Sequence, residues 1–162
     1  MSTNLDDPRF TAFGLFAEAY TGLTARFAAQ LEEHRLSAVE FEVLLRLARS
    51  PGRRLRMTDL AGQTSLSTSG VTRVVDRMDR DGLVRREACA SDRRSSYAVV
   101  TDDGLARLEE AVPGHLALAQ EWFIGQLTPE QLTGLMESLR KIRDAVNPCA
   151  TAGSGTAPIE VA

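Results

Sequence analysis

The feature that most narrows what this chain can fold into is a helix start that closely follows another short helix. A first segment reads as helical from about residue 58 to 64, with Thr58 as candidate N-cap and Leu60 and Ala61 facing inward. Ser65-Leu66 makes a turn, and Ser67 caps a further helix running to about Arg80. Asp81-Gly82 ends it, because glycine suits the left-handed position after a helix. A short helix, a tight turn and a capped second helix form a helix-turn-helix. Val71, Val74, Val75 and Met78 recur at helical spacing and mark the inward face. The other face shows Thr68, Ser69, Thr72, Arg73 and Arg77. Two short strand-like stretches follow, at 83 to 89 and 96 to 101, joined by polar residues 90 to 95. That hairpin adds a wing.

The flanks are helical. From 10 to 34, Phe10, Phe13, Phe16, Tyr20, Leu23, Phe27 and Leu31 recur every three or four residues on one stripe. The stripe packs either in the chain's own core or against a second copy. A second helix starts at Ser37, where Ser37 and Glu40 form a capping box, and Phe41, Leu44, Leu45 and Ala48 carry its apolar face. Ser50-Pro51-Gly52 stops it. Arg53, Arg54 and Arg56 then form a short basic run, either solvated or touching a nucleic-acid backbone. After the wing, Thr101 caps a long helix carrying Leu105, Leu108, Val112, Leu116, Ala119 and Phe123. Pro113-Gly114 falls inside it and is a candidate bend. Thr128, Pro129 and Gln131 open the last helix, with Leu132, Leu135, Leu139, Ile142 and Val146 expected on its buried side. Residues 148 to 162 are small and Gly-rich, and are expected to be disordered.

At 162 residues the chain suggests one domain, large enough to hold a core without a metal or a disulfide staple. Its net charge of -3 argues, taken alone, against a nucleic-acid partner. The average hides a split. Residues 46 to 94 hold twelve Arg against six acids, and the remainder holds seven cations against sixteen acids. The basic middle coincides with the helix-turn-helix and the wing. Two cysteines are too few for a disulfide framework, and no cofactor, phosphate-loop or metal motif is present, so no cofactor is expected. No apolar run has membrane-spanning length and the first residues lack a signal-peptide pattern. The expected compartment is the cytoplasm, with no membrane partner.

A DNA major groove about 12 Å wide admits one helix, read by side chains near its N-terminal end. Here that end offers Ser67, Thr68, Ser69 and Thr72, with Arg73 one turn on. Arg93 and Arg94 on the short wing suit a narrow minor groove.

The stretch from Leu66 to Gly104, LSTSGVTRVVDRMDRDGLVRREACASDRRSSYAVVTDDG, resembles the MarR family of winged-helix regulators. Its Cys-Ala-Ser-Asp-Arg-Arg segment looks like the wing of the SlyA branch, and the likeness extends over residues 10 to 146. Thr64 departs from the family, which usually has an apolar residue closing the short helix. The resemblance implies a mainly α fold with a small β-hairpin, that is, a winged helix-turn-helix plus a helical dimerisation lobe. The lobe comprises 1–36 and 102–147, and the DNA-binding unit 37–101. It further implies a homodimer on pseudo-palindromic double-stranded DNA, most often a repressor, released by a small aromatic or anionic ligand held between the lobes. By position, Ser67, Thr68, Ser69, Thr72 and Arg73 face DNA, and Arg77 further along the same helix is a candidate contact beside them. Arg94 enters the minor groove, Asp92 steadies the wing, and Arg93 pairs with Asp92 or touches phosphate.

Several residues carry a plainer reading beside the sharper one. Arg77 and Arg80 pair with Asp76 or Asp81 as readily as with phosphate. Phe13, Phe16, Tyr20, Phe41 and Leu45 line a ligand cavity or form ordinary dimer core. Cys89 is a candidate thiol switch, and His34 and His115 are candidate zinc ligands, each with little local support. No nucleophile, base and orienter cluster is legible, so an enzyme is not expected. The alternative to a DNA-binding regulator is a winged helix used for protein contact.

Overall fold

Side-chain caps start most of the described α-helices. The computed structural model describes residues 5–64, 66–89 and 92–150, the side chains of 92–94 excepted. Asp7 accepts the Arg9 N–H and opens α1 (Pro8–Glu33). The Ser37 hydroxyl accepts the Glu40 N–H while the Glu40 carboxylate accepts the Ser37 N–H, and this closed pair opens α2 (Ala38–Ala48). A three-residue strand, β1 (Arg54–Arg56), runs straight into α3 (Met57–Gln63). Ser67 opens α4 (Thr68–Arg80) by accepting the Gly70 N–H. Strands β2 (Val84–Cys89) and β3 (Asp92–Val100) follow. Thr101 opens α5 (Asp102–Trp122), and a second capping box, Thr128 with Gln131, opens α6 (Pro129–Val146).

The wing is more than a hairpin. β1, β3 and β2 form a three-stranded antiparallel sheet in that order, with Arg54 opposite Val99 and Val84 opposite Val100. Part of the expected basic loop is therefore strand. That placement also corrects the start of α3: the strand runs up to Arg56, so the helix begins at once, and Thr58 lies inside its first turn rather than at its cap. β3 begins earlier than its spacing suggested, with Asp92 opposite Cys89 across an irregularity at Ala88/Cys89. Residues 90 and 91 lie outside the described residues, and so does the expected disorder of 151–162. Residues 147–150 make a turn, in which the Ala150 N–H donates to the Asn147 carbonyl. This turn brings Cys149 against Gly62 of α3.

One apolar core joins α1 to the sheet. Leu31, Leu36, Phe41, Val43, Leu44 and Leu47 meet Leu60, Val71, Val75 and Met78, and Val84, Ala98, Val100, Leu108 and Ala111 close it. Thr64 sits in it without cost, because its hydroxyl donates to the Leu60 carbonyl one turn back at 2.7 Å. The departure from an apolar residue there leaves no unsatisfied group.

The stripe on α1 divides. Leu31 is buried, but Phe10, Phe13, Phe16 and Tyr20 stand in solvent, as do Leu116 of α5 and Ile142 and Val146 of α6. The expectation that Ile142 and Val146 are covered fails for the single chain; of the residues expected on that side of α6, only Leu132 is buried. Pro113 lies inside an unbroken α5.

Candidate nucleic-acid interface

α4 is sharply two-faced. Val71, Val75 and Met78 are fully buried against the core. Ser67, Thr68, Ser69 and Arg73 are exposed on the other side, and Thr72 is half-buried at the boundary. Ser67 is partly spent on the cap: its oxygen accepts the Gly70 N–H at 3.1 Å and lies 3.1 Å from the Ser69 hydroxyl. The first turn of α4 still directs its remaining free N–H groups and the positive end of its dipole outward. Ser67, Thr68, Ser69, Thr72 and Arg73 thus lie together on one accessible surface.

The nearby arginines differ in how far they are committed. Arg73 has no ion-pair or hydrogen-bond partner among the described residues. Arg80 donates to the Asp76 carbonyl, and Arg86 pairs with the Asp76 carboxylate at 2.8 Å. Arg77 takes neither of its expected partners: its Nε donates to Glu40 of α2 at 2.8 Å. That pairing ties Arg77 to α2 through a side chain that is still 49% exposed. Glu40 is buried, and its other oxygen serves the Ser37 cap. Burial pushes the Glu40 carboxyl up, but the Ser37 N–H and hydroxyl and the Arg77 guanidinium outweigh it, holding the group ionised below the ordinary carboxylate range.

The basic run resolves into a sheet face. Side chains alternate along strands, so Arg54, Arg56, Tyr97, Arg85 and Glu87 share the outer face of the wing. The Arg54 guanidinium stands 4.7 Å from the Tyr97 ring centre, and Glu87 gathers Arg85 at 2.7 Å and Arg54 at 3.6 Å. The side chains of Asp92, Arg93 and Arg94 lie outside the described residues.

The expected ligand residues are not brought together within one chain. Phe13, Phe16 and Tyr20 are exposed, whereas Phe41 is buried, and Phe13 lies fourteen residues before Phe27 on α1, about 21 Å along the axis. The aromatic meeting point is elsewhere. His115 of α5 stacks on Phe27 and meets Phe41 at a tilt, with each ring centre 4.4 Å away. Its Nδ1 is buried without a hydrogen-bond partner among the described residues, and so is Oε1 of nearby Gln30, whose amide donates to the Ala111 carbonyl. Phe27 stood on the sequence stripe, but nothing in the spacing pointed to His115 or Gln30. Among the described residues no His, Cys, Asp or Glu cluster is placed to hold a metal, and Cys89 is buried.

Burial lowers the His115 pKa from its ordinary value of 6.5. The unfolded chain therefore binds this proton at higher pH than the folded one, so stability is complete above about 6.5 and declines as pH falls below it. Thermal melts across about pH 5 to 8 are expected to show this decline, with a shallower one in His115→Phe. An identical profile in the variant would contradict it.

A family model described as the MarR family matches residues 36–96. The uncharacterized HTH-type transcriptional regulator YkoM of Bacillus subtilis is 30% identical over 130 residues, covering 80% of this chain and 82% of that one. The crystal structure of AbsC, a MarR family transcriptional regulator from Streptomyces coelicolor, is 35% identical with a TM-score of 0.85, covering 91% of this chain and 99% of that one. Sco3205, a MarR family transcriptional regulator from the same organism solved in complex with DNA, is 34% identical with a TM-score of 0.84, covering 91% and 93%.

Proposed function

The chain belongs to the MarR family of transcriptional regulators, and from that premise we propose a homodimeric, sequence-specific repressor that reads a pseudo-palindromic operator. The observation that carries this reading is the outer face of α4, a capped helix start bearing Ser67, Thr68 and Ser69 beside Arg73, which has no partner among the described residues. Short hydroxyls and a planar forked cation meet phosphates and base edges at close range. Residues 37–101 form the DNA-binding unit, and 1–36 with 102–147 form the dimerisation lobe. The exposed stripes of α1 and α6 supply a surface that a second copy covers.

Selection of bound duplexes from random fragments tests the function. Enrichment of a palindromic sequence is expected. Absence of any enrichment overturns the reading and favours a winged helix that contacts protein instead.

In this reading Arg94 enters the minor groove beside the operator, with Asp92 and Arg93 shaping the wing. Replacing Arg94 with alanine is expected to cost about 1–3 kcal/mol of operator binding with the fold intact. A gel-shift titration showing full affinity would contradict the assignment.

The effector is a small aromatic or anionic molecule held at the joint of α1, α2 and α5. The support is the pair of buried, unpartnered polar atoms there, Gln30 Oε1 and His115 Nδ1, beside the rings of Phe27 and Phe41. Of the residues expected to line the pocket, Phe41 stays in this site and Leu45 packs partly buried at its edge of the core. Phe13, Phe16 and Tyr20 belong to the dimer surface.

A further inference from the structure

The buried face of α4 is built from Val71, Val75 and Met78. Ridge-into-groove packing of that face sets the crossing angle of α4 only to within about 15–20°. Polar contacts narrow it further, and Arg86 of β2 supplies one through Asp76. A directional contact does reach α4 from the core side: the Arg77 Nε donates at 2.8 Å to Glu40, whose residue is only 8% exposed. Glu40 itself has little freedom. Its second oxygen accepts from the Ser37 N–H at 2.8 Å and from the Ser37 hydroxyl at 2.7 Å. The next residue, Phe41, is buried against His115 of α5. Arg77 must therefore come to Glu40 rather than the reverse. Arg77 also lies four residues after Arg73, so the two share a face of α4, and fixing one aims the other.

We propose that Glu40 is a positioning residue for DNA recognition, holding α4 at its reading angle through Arg77. This rests on the DNA-binding reading above. Arg77 in this role is a strut at the rim of the core, its side chain 49% exposed, and the contact to DNA is left to Arg73 and the hydroxyls.

Two substitutions separate this role from its competitors. Glu40→Gln keeps the cap, because glutamine serves a capping box as glutamate does, but removes the charge that Arg77 binds. Arg77→Gln removes the other partner. Both variants and the double variant are titrated against the selected operator and against an unrelated duplex, over a range of salt, well below the melting temperature of each. Each single change is expected to weaken operator binding about tenfold, with the double variant no weaker than the worse single one. The unrelated duplex, which needs no exact pose, is expected to bind as before, so the loss is one of specificity. A purely structural role would leave the ratio of operator to unrelated binding unmoved and overturns the proposal. So does an Arg77 that touches phosphate directly: Arg77→Gln would then lower the salt slope by about one while Glu40→Gln bound normally or better. A wild-type chain that selects no DNA overturns the DNA-binding reading itself, and this proposal with it.

Discussion

Replacing Gly104 with alanine is expected to lower the melting temperature by about 10 °C, the equivalent of about 3 kcal/mol. The cause lies in how α5 leaves the sheet. The Thr101 hydroxyl donates to the Gly82 carbonyl at 2.6 Å and accepts the Gly104 N–H, while the Thr101 N–H donates to the Leu83 carbonyl. These bonds draw the first turn of α5 flat against the chain at Leu83. A side chain at 104 would run into the Leu83 carbonyl oxygen, with Val100 Cγ2 3.1 Å away. The obstacle is backbone, so it cannot rotate aside. Alanine is intrinsically the better helix residue by about 1 kcal/mol, so helix propensity and collision oppose each other here. The collision wins because the site is buried. A melting temperature equal to or above that of the wild type would refute the account.

A paired change, Phe13→Asp with Phe16→Asp, is expected to leave a folded monomer that binds the operator at least about a hundredfold more weakly. Phe13 is 72% and Phe16 54% exposed, so neither supports the core of its own chain. Buried in a dimer, each aspartate would be an unpaired charge in an apolar seam. Separated protomers bind half-sites one at a time and lose the gain of simultaneous engagement. Sedimentation gives the mass, circular dichroism the fold, and a gel shift the affinity. A dimer of unchanged affinity would remove α1 from the interface.

Much of this was legible in the residues, wherever cause and effect sit close together in the chain. The capping boxes at Ser37/Glu40 and Thr128/Gln131, the Ser67 cap and the left-handed Gly82 each depend on neighbours within a turn. The hydroxyl face of α4 follows from helical spacing alone. What stayed hidden depends on distant pairing. Nothing local links Arg77 to Glu40, 37 positions away. A three-residue strand shows no period, so Arg54–Arg56 reads as a basic loop until β3 lies beside it. The aromatic stripe of α1 is visible as a stripe, but where it passes from core to surface is set by α2 and α5, which cover Leu31 and leave Phe13 bare. His115 was legible only as a candidate zinc ligand and not as the partner of Phe27 and Phe41, because a lone histidine on an apolar helix face has many possible neighbours.

The short strand β1 also shapes how the chain gains order. Arg56 and Tyr97 are 41 positions apart, and their strands close a ring of chain that contains all of α3 and α4. Neither helix is long enough to persist in isolation in water. Each waits on the ring, and closing it costs entropy that only the completed core returns. α4 and the wing beside it are therefore expected to assemble and melt as one cooperative unit, so that damage at the foot of the wing disarms the helix as well.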